Sequence, residues 1–103
     1  MSEVIYPKLS YQRALTIKLK ERHLKFQEQL KTDLIFNQEI IGRYFVDFLI
    51  DNKIALELKV GNHFLTKDIQ QLFSYLKASN LKLGIIVNFT AVGIKYKRIV
   101  NIK

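Results

Sequence analysis

The chain has 103 residues, of which 49% are hydrophobic, and its formal net charge is +8. This length predicts one domain, over residues 1–103, with enough apolar residues for a core of its own. It contains no cysteine, which excludes disulfides, thiolate metal sites and a cysteine nucleophile.

Hydrophobic periodicity predicts two helices and five strands in the order α-β-β-β-α-β-β. In the first helix, Tyr11, Leu15 and Leu19 recur at four-residue spacing on one stripe. In the second helix, Thr66 is the expected N-cap, with Asp68 in the first turn. This order is typical of an α/β fold with a mixed β-sheet flanked by helices. The predicted bounds are 9–23 and 65–78 for the helices and 25–36, 40–50, 54–60, 83–89 and 94–102 for the strands.

No targeting or membrane segment is predicted. Met1–Val4 lack a basic region followed by an apolar run, so no signal peptide is expected. No apolar stretch approaches the roughly 20 residues of a membrane span. The expected location is the cytoplasm, and no membrane partner is expected.

Side-chain alternation along the second and third strands places three charged residues together. From Val46 onward, the even-numbered positions of both strands are apolar, and burying them on one shared face is expected to drive pairing. The opposite face then carries Asp47, Glu57 and Lys59.

The loop between these strands tests that placement. A three-residue loop, 51–53, pairs Ile50 with Ile54 and therefore Asp47 directly with Glu57. A two-residue loop would turn one apolar set to the wrong face, so the odd-length connection is favoured.

Two carboxylates placed roughly 5 Å apart repel each other unless a cation or a shared proton lies between them. Asp47 and Glu57, with the backbone carbonyl of Leu58, would offer the oxygen ligands that Mg²⁺ or Mn²⁺ prefers. The ion would polarise a phosphate and activate a water molecule, while Lys59 would stabilise the charge of a phosphoryl transition state. The alternative interpretation is a solvent-facing pair of strands with a Glu-Lys contact. Apolar neighbours such as Phe45 argue against it, because they indicate that this face is also covered.

Asp47 followed by Glu57-Leu58-Lys59 resembles the PD-(D/E)XK nuclease superfamily and, more specifically, the small GxxExxY protein family within it. The three motif residues alone are a weak signal, but further segments match in order along most of the chain. These segments are Tyr11–Leu15, Gly42–Asp47, Leu56–Lys59, Gln71–Lys77 and Leu81–Phe89.

The resemblance implies a restriction-endonuclease-like core and a Mg²⁺- or Mn²⁺-dependent site that hydrolyses nucleic acid, DNA rather than RNA. Asp47 and Glu57 would be metal ligands, Lys59 the catalytic lysine, and Gln71 a catalytic residue on the following helix. Tyr75, one turn further along, would contact the nucleic acid. Packing of the helix explains the presence of Gln71 and Tyr75 equally well.

The chain departs from the family pattern in its first helix. The motif that names the family would place its Gly at Ile5, its Glu at Lys8 and its Tyr at Tyr11, and only the tyrosine is present. Related nucleases often use a glutamate there as a metal ligand or its support. Lys8 puts a positive charge at that position instead, so a catalytically inactive module of the same fold is the alternative function.

The last quarter of the chain is basic. From Ser79 onward there is no acidic residue, which favours binding of phosphate-rich polymers. We therefore predict nucleic-acid contacts by Lys95, Lys97 and Arg98. A third hypothesis is a protein-interaction subunit or homodimer, formed through the exposed edge of the last strand. The basic residues of this segment are Lys82, Lys95, Lys97, Arg98 and Lys103.

Overall fold

The computed structural model describes residues 6–102, so the predictions for Met1–Val4, Ile5 and Lys103 lie outside the described residues. The order α-β-β-β-α-β-β is confirmed, with bounds within two residues of those predicted. Nowhere within residues 6–102 is a helix long and apolar enough to cross a membrane. The elements are α1 (Lys8–Glu21), β1 (Phe26–Phe36), β2 (Glu39–Ile50), β3 (Ile54–Val60), α2 (Thr66–Ser79), β4 (Leu83–Thr90) and β5 (Gly93–Val100).

The five strands form one mixed sheet in the order β1-β2-β3-β4-β5. Neighbouring strands are antiparallel except β3 and β4, which are parallel and are joined through α2. A parallel pair needs such a crossover, because its second strand must start at the same end of the sheet as the first. The predicted α/β fold with a restriction-endonuclease-like core is confirmed.

Each face of the sheet has its own apolar cluster, and each cluster is covered by one helix. The stripe predicted for α1 lies on one face, where Leu19 is buried and Tyr11 and Leu15 pack beside it. On the other face, α2 approaches β4 closely. A Cβ atom at Gly84 would lie 2.9 Å from Leu72 Cδ2, so glycine is needed there. The buried residues are Leu19, Phe48, Leu56 and Leu58 on the α1 face and Val46, Ala55, Leu72, Tyr75, Leu76, Ile86 and Ile99 on the α2 face.

The prediction of Thr66 as the N-cap of α2 is wrong. Thr66 is already helical, and the cap is Leu65, which has extended backbone angles and makes no capping hydrogen bond through its side chain. Asp68 does lie in the first turn, where a carboxylate is favoured by the helix dipole. The helix ends at Ser79 and is capped by Asn80, whose left-handed φ of 57° lets its N–H bond back to carbonyls of the last turn.

Candidate active site

The regular alternation predicted for β2 is interrupted at Asp47. Phe48 packs with Leu19 on the α1 face, as alternation from Ile50 requires. Val46 should share that face, but it packs with Leu72 on the α2 face. The prediction that Val46 and Phe48 share a face is therefore wrong, and three consecutive residues, 46–48, are all buried.

The neighbouring strand β1 changes face at the same level. Leu30 packs on the α2 face, whereas Glu28 accepts a hydrogen bond of 3.0 Å from Thr16 of α1. Between them, Gln29 has a φ of 53°, which is uncommon for a residue other than glycine. Its Nε2 donates to Asp47 Oδ1 at 3.2 Å. The paired irregularity therefore turns Asp47 inward and supplies it with a donor.

Asp47 and Glu57 lie at a fork where β2 and β3 separate. The strands pair in the predicted register, with Ile50 opposite Ile54, but the ladder stops one pair before the two carboxylates. Beyond this point, the Leu58 N–H donates to Asp47 Oδ2 at 2.8 Å. A side chain thus replaces the backbone acceptor that β2 would otherwise provide.

Asp47 is 4% exposed and is surrounded by donors. Its Oδ2 also lies 3.0 Å from Lys8 Nζ, and its Oδ1 accepts from Gln12 Nε2 at 3.4 Å. Burial alone favours the neutral acid, but the neighbouring Glu57 side chain, the Leu58 amide and Lys8 together outweigh it. They hold the pKa of Asp47 below its usual value, so the side chain is an anion at neutral pH.

Glu57 has the opposite character, although it is equally buried at 4% exposure. Tyr44 Oη donates to its Oε2 at 2.5 Å. Its Oε1 is buried without a hydrogen bond, and Lys8 Nζ lies 3.9 Å from it. Burial and then the interaction with Asp47 raise the pKa of Glu57 to about 8, despite the lowering effect of Tyr44 and Lys8. Burial, followed by the hydrogen bond to Glu57 and the charges of nearby acids, raises the pKa of Tyr44, which therefore remains a donor.

The raised pKa of Glu57 predicts that the metal-free protein loses stability as the pH rises. Between the ordinary pKa of 4.5 and the folded-state pKa of about 8, the folded state binds more protons than the unfolded state. The free energy of unfolding should therefore fall in this window, by up to about 1.4 kcal/mol per pH unit. Asp47 acts in a separate window, since its lowered pKa removes stability only as the pH falls below 3.8. Urea denaturation at several pH values measures the slope, and Glu57→Gln should remove most of it.

Lys59 lies on the α2 face with Glu57, two residues away. Its Nζ is 3.6 Å from Asp68 Oδ1, at the beginning of α2. Lys59 is paired in the sheet with Asn88. Asn88 Nδ2 donates to the His63 carbonyl at 2.7 Å and so holds the loop between β3 and α2 in place. The lysine is therefore held at the edge of the site by an acidic partner, with its side chain about one third exposed.

The two predicted residues of α2 lie in different surroundings. Gln71 is exposed and lines a groove of about 310 Å³ together with Tyr44, Arg43 and Lys67. Tyr75 is only 3% exposed and packs in the core, with its ring 5.8 Å from that of Tyr44. Burial leaves little of the Tyr75 ring exposed, and its contact with nucleic acid stays a prediction.

The basic residues of β5 divide between the two faces of the sheet. Lys97 lies in one row with Ile86 and Glu57, on the α2 face. Two strand spacings, about 10 Å, separate its backbone from that of Glu57. Lys95 alternates to the same face, whereas Arg98 is paired with Ile85 and faces the α1 side. The structure thus brings two of the three to the side of Glu57.

Sequence reasoning missed Gln12, Gln29 and Tyr44, although each contacts one of the two carboxylates. A four-residue spacing from Lys8 to Gln12 to Thr16 marks one polar stripe on α1 and was a usable signal. No sequence signal pointed to Tyr44, because regular alternation places it on the face opposite Glu57.

The residues of the fork suit a divalent cation. The donors are hard oxygens from Asp47 and Glu57, and Glu57 Oε1 is a buried acceptor without a hydrogen bond. The Leu58 carbonyl is expected to point into the fork with its N–H, because both groups of a strand residue lie on the same side. Within residues 6–102 no cluster of three or more His, Cys, Asp or Glu is present. The third charged side chain beside Asp47 and Glu57 is that of Lys8, a cation rather than another acid.

Known proteins resemble this chain in sequence and in fold. A family model described as the PD-(D/E)XK nuclease superfamily matches residues 7–99. Among solved structures, the crystal structure of SSO0001 is similar at 20% identity and a TM-score of 0.69, covering 88% of this chain and 49% of that one. An alkaline exonuclease, LHK-Exo from Laribacter hongkongensis, is similar at 16% identity and a TM-score of 0.61, covering 89% of this chain and 55% of that one. This chain thus spans about half the length of each. No match was found among curated proteins. The family match covers nearly all of the chain, which therefore belongs to the PD-(D/E)XK nuclease superfamily.

Proposed function

We propose that this chain is a nuclease domain that hydrolyses nucleic-acid phosphodiester bonds with the help of Mg²⁺ or Mn²⁺. One observation carries the proposal. Two buried carboxylates, Asp47 and Glu57, converge on a point where a cation, the ammonium of Lys8, already lies 3.0 Å from one and 3.9 Å from the other. Burying two acids this close costs free energy that a core would avoid, unless the pair serves to hold a cation.

Asp47, Glu57 and the Leu58 carbonyl would hold the metal. When bound, the ion would polarise the phosphate and lower the pKa of a water molecule. Tyr44 fixes the orientation of Glu57 through the bond to Oε2, which leaves Oε1 free for the ion. Lys59 would place positive charge beside the phosphate as negative charge develops there. Its pairing with Asp68 restricts the ammonium to that edge of the site.

Gln71 would act from the groove beside the site rather than on the metal. The groove continues from Tyr44 along α2, and Arg43 and Lys67 line it. Both are cations of the kind that neutralise phosphates, so this groove supports an approach of the nucleic-acid backbone toward Glu57. DNA is the first substrate to test and RNA the second.

Lys95 and Lys97 are predicted to strengthen nucleic-acid binding, because they extend the basic surface on the face of Glu57. The double variant Lys95→Ala/Lys97→Ala should bind a DNA duplex about tenfold more weakly, and its salt dependence should become shallower by up to about 2 in log-log slope. Fluorescence anisotropy over a salt series measures both quantities. Arg98→Ala is the matched control, since this residue lies on the opposite face, and an equal loss for Arg98→Ala would contradict the assignment.

The direct test is metal binding followed by cleavage. Calorimetry should detect Mn²⁺ binding to the wild-type chain at millimolar metal or below. Labelled DNA and RNA should then be cut in Mn²⁺ and remain intact in EDTA. A chain that binds no Mn²⁺ at millimolar levels would refute the catalytic proposal.

A nucleic-acid-binding module without catalysis is the second candidate, and the position of Lys8 between the carboxylates favours it. Its signature is DNA binding that survives EDTA and falls steeply with salt. A homodimer through the edge strand β5 is a separate proposal, which light scattering at high concentration tests. The resemblance to the GxxExxY proteins and the cytoplasmic location remain predictions.

A further inference from the structure

Lys8 occupies an unusual place for a lysine. It is the first residue of α1, whose first turn contains no acidic residue, and the positive end of the helix dipole disfavours a cation there. Its ammonium nevertheless points into the fork, 3.0 Å from Asp47 Oδ2 and 3.9 Å from Glu57 Oε1. The carboxylates, rather than the helix, therefore account for the position of this side chain.

The two oxygen atoms that Lys8 approaches are the ones a metal would use. Glu57 Oε1 has no other partner, and Asp47 Oδ2 also accepts from the Leu58 amide. The remaining oxygen atoms of both acids accept hydrogen bonds from Tyr44, Gln12 and Gln29. Two cations at one point repel each other strongly in a partly buried site. Occupancy by the ammonium and by a divalent metal should therefore be mutually exclusive.

We propose that Lys8 is a tethered cation that holds the two carboxylates together in the absence of metal and is displaced when a metal binds. This inference rests on the proposed function, since it concerns the regulation of that metal site. Its consequence is a wild-type affinity for metal that is lower than the carboxylates alone would give. Metal concentration would then decide whether the site is closed by Lys8 or open.

The structure allows this exchange without rearranging the site. The Lys8 side chain is 40% exposed, so the ammonium can rotate into solvent. Helix α1 is held elsewhere, by buried Leu19 and by Tyr11, whose ring stacks on Phe89 at 4.0 Å. Asp47 keeps its hydrogen bond from the Leu58 amide whether or not Lys8 is present.

The first test compares Mn²⁺ binding by the wild-type chain and by Lys8→Gln with calorimetry. Lys20→Gln, an exposed position on the same helix with the same change of charge, is the matched control. Lys8→Gln should bind Mn²⁺ about tenfold tighter or more, as expected when one partly screened positive charge leaves the site, and Lys20→Gln should match the wild type. Without metal, Lys8→Gln should melt at a lower temperature, and saturating Mn²⁺ should restore it.

The outcomes separate this inference from the proposed function. Equal or weaker binding by Lys8→Gln, while the wild type binds, would overturn the inference and leave the metal site standing. Binding by Lys8→Gln alone would support the inference, with a wild-type site closed by its lysine. Binding by neither would refute the proposed function and the inference with it.

A second measurement needs no substitution and guards against a variant that fails to fold. Amine acetylation followed by mass spectrometry reports how accessible each lysine is in the wild-type chain. Saturating Mn²⁺ should raise the labelling of Lys8 several-fold over its metal-free rate and leave Lys20 unchanged. Labelling of Lys8 that does not change, when calorimetry shows Mn²⁺ bound, would overturn the displacement.

Discussion

Replacing Glu57 by Gln is expected to abolish Mn²⁺ binding and phosphodiester hydrolysis while leaving the chain folded. The substitution keeps the shape of the side chain and an acceptor for Tyr44, but it removes one of the two negative charges that would hold the ion. The loss of a ligand charge should lower metal affinity by more than the roughly 10- to 100-fold that is usual for a supporting residue. Calorimetry and a cleavage assay measure the two effects.

The same variant should not be less stable than the wild type in the absence of metal. The raised pKa of Glu57 means that folding disfavours its charged form, so a neutral amide relieves that cost. Glu39→Gln, at an exposed position of the same sheet, is the control for a change of charge alone. If Glu57→Gln unfolded the chain, or bound Mn²⁺ as tightly as Glu39→Gln, Glu57 would not be the ligand proposed here.

Replacing Asp47 by Ala is expected to lower the free energy of unfolding by about 3 kcal/mol, in addition to abolishing metal binding. Asp47 accepts from the Leu58 amide, Gln12 and Gln29 and pairs with Lys8, so its removal leaves a buried backbone N–H without a partner. Losing one member of a buried, hydrogen-bonded charge network is costly for this reason. Urea denaturation at neutral pH gives the number.

Glu21→Ala is the matched control for that experiment. Its carboxylate is exposed at the end of α1, 3.3 Å from Lys18, and such surface pairs contribute only about 0–1 kcal/mol. A loss for Asp47→Ala no larger than the loss for Glu21→Ala would show that the fork does not depend on this carboxylate.

The sequence predicted the positions of the strands and the pairing of β2 with β3. These follow from local information, because the alternation of apolar residues sets each face and the three-residue loop sets the register. Glu57 and Lys59 also lie on the side that alternation assigns to them. Such a prediction holds as long as both strands remain regular.

The surroundings of Asp47 could not be predicted in this way. The irregularity arises jointly in β1 and β2, where Gln29 adopts a positive φ and bonds to Asp47 across the strands. The run Gln27–Gln29 is polar, but its polarity does not indicate a change of face. Lys8 meets Asp47 across 39 residues of sequence. Alternation gives no sign of this contact, and only the resemblance to the nuclease family placed Lys8 at the metal site.

The hydrogen bond from the Leu58 amide to Asp47 gives the site a spectroscopic reporter of its own. The amide proton of Leu58 lies in the middle of a strand, yet its acceptor is a carboxylate rather than a neighbouring backbone carbonyl. Its chemical shift and its hydrogen-exchange rate should therefore respond to whatever neutralises that carboxylate. A single resonance in a nitrogen-15 spectrum would then distinguish the lysine-closed, metal-loaded and protonated forms without substrate.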